Sequence, residues 1–243
     1  SLQETENMDS PLDEDELTER LKLYFEYDDV IQQVEQAHRQ FENDFDDVSN
    51  YLTARWADNI RDQFDVAESG WKIRSNDSPK WQGLMPEYWD QDPFGWNSTI
   101  ALYFRIPATT ELLRNQELSF RLRLPPQRKV HQQTFEADRS FNAVFTEKCT
   151  GAYEDDIRGA LAKLDVDEIN LGRSSALFTK NYALDTENLV SSYFGQVTTA
   201  VNEFCSESPQ LLTSINSVFE ESYEDVFGEP PAGEFSGTLS KPD

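Results

Sequence analysis

Between Pro11 and Gly70 the chain contains neither glycine nor proline. Across that interval Leu17, Leu21, Tyr24, Ile31, Val34, Phe41, Phe45, Val48, Leu52, Trp56, Ile60 and Phe64 follow one another in steps of three, four or seven. This spacing lays an apolar stripe along one side of an α-helix. With no breaker, about 55 residues at 1.5 Å each form an element of roughly 80 Å. Asp28-Asp29 offers a second solution, the cap of a new helix and therefore a hairpin. The stripe is aromatic and irregular rather than a Leu/Ile heptad. Packing against the rest of the chain, or against a second copy, is accordingly expected over a long regular coiled coil.

After Gly70 the period changes. "GWKIRS" (70–75), "STIALYFRIP" (98–107) and "ELSFRLRLP" (117–125) alternate apolar with polar residues, the pattern of half-buried strands. The intervening segment 76–96 holds three prolines, two glycines and three of the five tryptophans. It reads as a loop with a short strand near Trp81 to Leu84, and Trp81, Trp89 and Trp96 are its candidate anchors. Further strands are expected near Phe141 to Phe145, in "EINLG" and in "SALFTKNYAL", with a short helix over Glu154 to Leu164. Two helices with marked ends follow. Asp185 or Thr186 caps the first, and Ser208-Pro209 opens the second, which Gly228 stops.

Strands and helices in segregated runs give an α+β fold: a long N-terminal acidic amphipathic helix, or helical hairpin, then an antiparallel sheet covered on one side by C-terminal helices. The expected organisation is a mobile acidic tail (1–12), an acidic helical arm (13–69), an α+β domain (70–228) and a flexible tail (229–243). Aromatics at 12% supply a core even though hydrophobic residues reach only 37%.

Charge is uneven. The formal net charge is -25, and residues 1–67 hold nineteen Asp/Glu against five Lys/Arg. Such a surface repels DNA and acidic membranes, so nucleic acid is disfavoured as a partner. No run approaches the ~18 apolar residues of a membrane span, and no signal-peptide pattern opens the chain, so a soluble, cytoplasmic protein without a membrane partner is expected. Cys149 and Cys205 are too few for a disulfide framework and lack metal-ligand spacing.

Catalytic constellations are thin. His38 lies by the apolar stripe, where a core or groove-lining role is expected, and His131 lies in a polar stretch. Neither accompanies a GxSxG elbow. "DEDE" (13–16) and "DFDD" (44–47) lack calcium-loop spacing, and Asp165, Asp167 and Glu168 lack the lysine of a nuclease site. A Walker loop or dinucleotide fingerprint is absent. No catalytic residue, metal ligand or cofactor is assigned.

What stands out is the scarce positive charge. If the clearest strands share one sheet, Trp71, Ile73, Ile100, Leu102, Phe104, Ile106, Leu118, Phe120, Leu122 and Leu124 face inward. Lys72, Arg74, Tyr103, Arg105, Arg121 and Arg123 then share the opposite face, with Arg128 and Lys129 beyond its edge. Three readings follow: an exposed face that merely needs polarity, a face neutralised by acids of this same chain, or an anion-binding surface. The functional expectation is a non-enzymatic interaction or accessory module with a protein partner, including self-association through the N-terminal helix. The alternatives are a polyanion mimic of DNA that inhibits a nucleic-acid-binding protein, and a metal-dependent hydrolase or nuclease-related domain.

Overall fold

A computed structural model describes residues 14–75, 78–92, 100–124 and 140–242. The chain is α+β and divides into two compact units, Ser1–Phe45 and Asp46–Asp243. That division falls inside the first helix rather than at Gly70, where the charge and the pattern change. Contacts and composition therefore draw different boundaries.

The described part of the first unit is helical throughout, within α1 (Glu14–Gln63). The hairpin alternative is not taken. Asp28 instead accepts a hydrogen bond from Gln32 Nε2 at 2.9 Å, one turn along the same helix. Gln40 Nε2 reaches Asp44 Oδ1 at 2.8 Å, and Arg39 pairs with Glu35 at 3.4 Å. Pairs of this kind add about 0.2–0.5 kcal/mol each to an exposed helix, and no glycine or proline opposes them. His38 is not in a core: its side chain is 70% exposed and lies 3.9 Å from Glu42.

In the second unit, residues 46–63 of α1 bury Leu52, Trp56 and Ile60, and Ser49 Oγ donates to the Ala108 carbonyl. The six-stranded antiparallel sheet runs in the order β1 (Trp71–Arg74), β2 (Gly83–Pro86), β5 (Tyr103–Arg105), β6 (Glu117–Arg123), β8 (Phe178–Ala183), β7 (Glu168–Ile169). β3 (Asp90–Gln91) and β4 (Ile100–Ala101) form a separate pair. The single strand expected over 98–107 is thus divided between two sheets at Leu102, whose N–H turns to the Trp89 carbonyl.

One rung crosses all six strands: Ile73, Leu84, Phe104, Leu122, Phe178 and Ile169 are register partners in succession. Paired residues share a face, so this rung defines the core side. On that side Phe204 stacks on Phe120 at 4.6 Å and on Phe178 at 5.1 Å. Phe204 belongs to a π-helical turn (Asn202–Ser206) that follows the helix Leu189–Val201. That helix begins after Asn188 rather than at Asp185 or Thr186. The helix Pro209–Phe227 packs alongside, bringing Phe219 against Trp89, and Gly228 ends it in the left-handed conformation (φ 77°) as its sequence requires.

Two further expectations are corrected. Phe141 to Phe145 is no strand: Ser140 accepts from the Ala143 N–H and starts a helix, Phe141–Cys149, whose Phe141, Val144 and Phe145 are buried. The apolar spacing of this stretch fits helix and strand alike, and the cap decides. Residues 229–242, which composition reads as a flexible tail, instead lie on the domain. Leu239 is buried and donates to the Cys205 carbonyl, Gly237 accepts from Trp71 Nε1, and Phe235 stacks on Trp89 at 6.0 Å. Hydrophilic composition hid two apolar anchors, Phe235 and Leu239, and a backbone carbonyl at Gly237 that meets the Trp71 indole. The expected tail 1–12 lies outside the described residues.

Candidate anion-binding face

The rung next to the core rung has the opposite chemistry. Arg74, Gly83, Arg105, Arg121, Thr179 and Glu168 are successive register partners across the same six strands. On the other side of the core rung, Tyr103 pairs with Arg123, and Lys72 pairs with Met85. All six sequence-assigned residues therefore lie on one face, because strand parity fixes their side and the apolar face prevents a slip.

Their surroundings differ. Lys72 is taken: its ammonium pairs with Asp90. Tyr103 is fully buried, and its ring carries the Arg74 guanidinium at 4.7 Å and that of Arg123 at 5.8 Å. Gly83 makes this possible. A Cβ there would stand 2.6 Å from the Tyr103 ring and 2.7 Å from the Phe104 carbonyl oxygen, so only glycine lets the ring lie across β2. Trp81, expected as a loop anchor, joins the cluster, with Arg105 at 5.6 Å and Arg123 at 5.4 Å from its ring centre. Each such contact holds a guanidinium with about 0.5–2 kcal/mol.

The cluster is rich in donors and poor in acceptors. Arg105 Nε donates to the Lys80 carbonyl at 2.7 Å and Arg121 Nε to Ser119 Oγ at 2.8 Å. Tyr103 Oη and Arg123 Nε are buried without a hydrogen-bond partner among the described residues. Nor does any described carboxylate form an ion pair with Arg74, Arg105, Arg121 or Arg123. Burial lowers the affinity of Arg105 for its proton, the neighbouring charge of Arg123 lowers it further, Tyr103 opposes them, and Arg121 adds the smallest lowering. The mutual repulsion of these guanidiniums is built into the fold.

The other tryptophans do not join. Trp89 is a core residue with no exposed surface, its Nε1 donating to Asn216 Oδ1 at 3.0 Å. Trp96, Arg128, Lys129 and His131 lie outside the described residues. Gly83 is the member that sequence reading missed, and Trp81 is read there only as a loop anchor. The "SPKW" stretch carried no alternation to give Trp81 a side.

A second polar cluster lies on the core face. Lys180 Nζ donates to Glu203 Oε2 at 2.9 Å and to the Leu164 carbonyl at 2.7 Å, while Tyr182 Oη donates to the same Glu203 oxygen at 2.7 Å. Burial first, then the bond to Glu203, raises the Tyr182 phenol above its ordinary range. Each group has a partner, so this is a satisfied internal network rather than a poised acid and base. The two thiols are buried and free, and burial pushes Cys149 up to about 12, which leaves it an unreactive thiol. Among the described residues no group of three His, Cys, Asp or Glu is arranged to hold a metal ion, and no helix is long and apolar enough to cross a membrane. No protein family, curated protein or solved structure is matched by this chain.

Proposed function

We propose that this protein is a non-enzymatic interaction module whose basic sheet face receives an anionic segment of a partner protein. The observation that carries the reading is the four-arginine cluster, drawn from two rungs of one sheet face, with no described carboxylate ion-paired to it. Clustered guanidiniums held on aromatic rings offer fixed, fork-shaped donors, which match carboxylate geometry two bonds at a time. A bound anion would also relieve the repulsion that burial concentrates at Arg105.

Protein carboxylates fit better than the phosphates of a single strand. Base stacking needs aromatic faces open to the ligand. Here Tyr103 is buried, and the rings of Tyr103 and Trp81 are each engaged by two arginines. The chain's charge of -25 further opposes a long polyanion.

Calorimetric titration with poly-glutamate and, in parallel, with a single-stranded oligonucleotide tests the reading. Poly-glutamate is expected to bind, more weakly as salt rises, and binding is expected to disappear in Arg105→Gln/Arg121→Gln/Arg123→Gln. Tighter binding of the oligonucleotide would transfer the face to nucleic acid. No binding of either probe at low salt would reduce it to an ordinary polar surface.

A further inference from the structure

The large hydrophobic residues left exposed among the described residues all lie on α1, between Leu21 and Tyr51. Three of them, Tyr27, Val34 and Phe41, fall in a periodic series of the first unit. Tyr24, Tyr27, Ile31, Val34, His38, Phe41 and Phe45 alternate steps of three and four without interruption. These are seven consecutive a and d positions, with Tyr24, Ile31, His38 and Phe45 at a and Tyr27, Val34 and Phe41 at d. Tyr27, Val34 and Phe41 are 49%, 64% and 50% exposed. A strict heptad seam of three turns of the repeat is a surface made for another helix of the same period.

We propose that the occupant is a second copy of this chain, paired in parallel and in register along residues 24–45. Three observations select it. First, the seam is its own complement: in a parallel pair each a meets a and each d meets d, so the polar His38 meets its equivalent rather than an apolar residue. A single polar a position of this kind fixes register at some loss of stability.

Second, the flanking charges choose the direction. The e positions are Asp28, Glu35 and Glu42, and the g positions are Leu23, Val30, Ala37 and Asp44, the last facing an uncharged position in a parallel pair. In a parallel pair g faces e of the partner helix five residues on, which sets Leu23 against Asp28, Val30 against Glu35 and Ala37 against Glu42. No like charges meet. An antiparallel pair would set e against e, placing Glu35 on Glu35 and Asp28 on Glu42. Moreover, Asp28 and Glu35 are bonded along their own helix to Gln32 and Arg39, which draws these carboxylates back from the seam.

Third, the size is adequate. Covering the exposed apolar parts of this seam and its g flank on both copies removes on the order of 1,200 Å² from water, at the lower end of stable interfaces. The pair is therefore concentration-dependent. Residues 14–45 hold ten acids and three Lys/Arg, so repulsion between copies opposes it and salt strengthens it. The proposal is independent of the arginine face.

Sedimentation of the full chain over a range of concentration and salt tests the pairing. A monomer–dimer equilibrium that tightens with added salt is expected. Val34→Asp/Phe41→Asp is expected to be monomeric at every concentration with an unchanged melting transition, and His38→Ile to pair about tenfold more tightly. Val34→Cys is expected to oxidise to a linked dimer, since d faces d only when the helices are parallel. A chain that stays monomeric at high concentration and high salt overturns the proposal. So does a dimer that survives the double substitution, a dimer that Val34→Cys fails to link, or an association that salt weakens, which would mark the acidic helix binding the arginine face of another copy.

Discussion

In the α+β unit Trp71, Trp89, Phe104, Phe120 and Phe178 are all buried, whereas along α1 of the first unit Phe25, Val34 and Phe41 are half or more exposed. The two regions handle charge inversely as well. The sheet gathers cations into two rungs of one face, while the helix strings carboxylates beside an apolar seam. Both regions are thus incomplete: the domain has finished its core and left its clustered arginines without carboxylate partners, and the helix has left its apolar side uncovered. The comparison separates two sources of stability. Substitutions in the sheet unit are expected to act on folding, and those on the exposed seam on the proposed association.

Four substitutions or conditions sharpen that contrast. The largest effect is expected from Trp89→Ala, which empties a fully buried site and orphans Asn216 Oδ1. Denaturant titration is expected to show a loss of about 3–5 kcal/mol, and a loss under 1 kcal/mol would return Trp89 to the role of a loop anchor. Gly83→Ala comes next. Its Cβ meets both the Tyr103 ring and the backbone of β5, so a cost of about 1–3 kcal/mol is expected. Because the ring supports Arg74 and Arg123, weaker poly-glutamate binding is expected to accompany it.

High pH ranks third. Burial raises the phenols of Tyr193 and Tyr182 in the folded chain, and the bond to Glu203 adds to the effect at Tyr182. The unfolded phenols ionise near pH ~10 while the folded ones stay neutral, so the unfolded chain binds fewer protons there. Stability is complete below that pH and falls above it, by about 1.4 kcal/mol per pH unit for each tyrosine. Tyr182→Phe is expected to flatten the slope measured in melts between pH 9 and ~11. A slope unchanged by that substitution would show that the Tyr182 phenol is no better protected than in the unfolded chain. The smallest effect is expected from Val34→Ala. Melting of the sheet unit should move by no more than about 0.5 kcal/mol, and a larger loss would mean that the seam is already part of the core.

Much of this arrangement was readable from period alone. Strand parity in "ELSFRLRLP" assigned Arg121 and Arg123 to one face because Leu118, Phe120 and Leu122 demanded the other, and the register with β5 then brought Arg105 into line. What stayed hidden depended on contacts distant in sequence. Trp81 lies in a stretch without alternation, and its role rests on two arginines from other strands. Strand parity alone leaves Lys72 without a partner, whereas in the fold Asp90 pairs with it. Phe141 to Phe145 went astray because short apolar runs satisfy both periods. The apolar stripe of its helix predicts a covered surface at His38, yet its side chain is 70% exposed. The seam itself was legible only after the uninterrupted helix excluded a turn at Asp28.

The anchored C-terminal segment has a practical consequence. Between Ala232 and Ser240 it is fastened at Gln91, Trp71, Cys205, Ser69 and Asp65, which are scattered over the primary structure. It works as a buckle, closing the two ends of the sheet unit onto each other. Proteolytic trimming at Gly228 would unclasp the indole of Trp71 and the ring stacked on Trp89 together. A shortened polypeptide is therefore expected to lose cooperativity, rather than merely shed a few surface atoms.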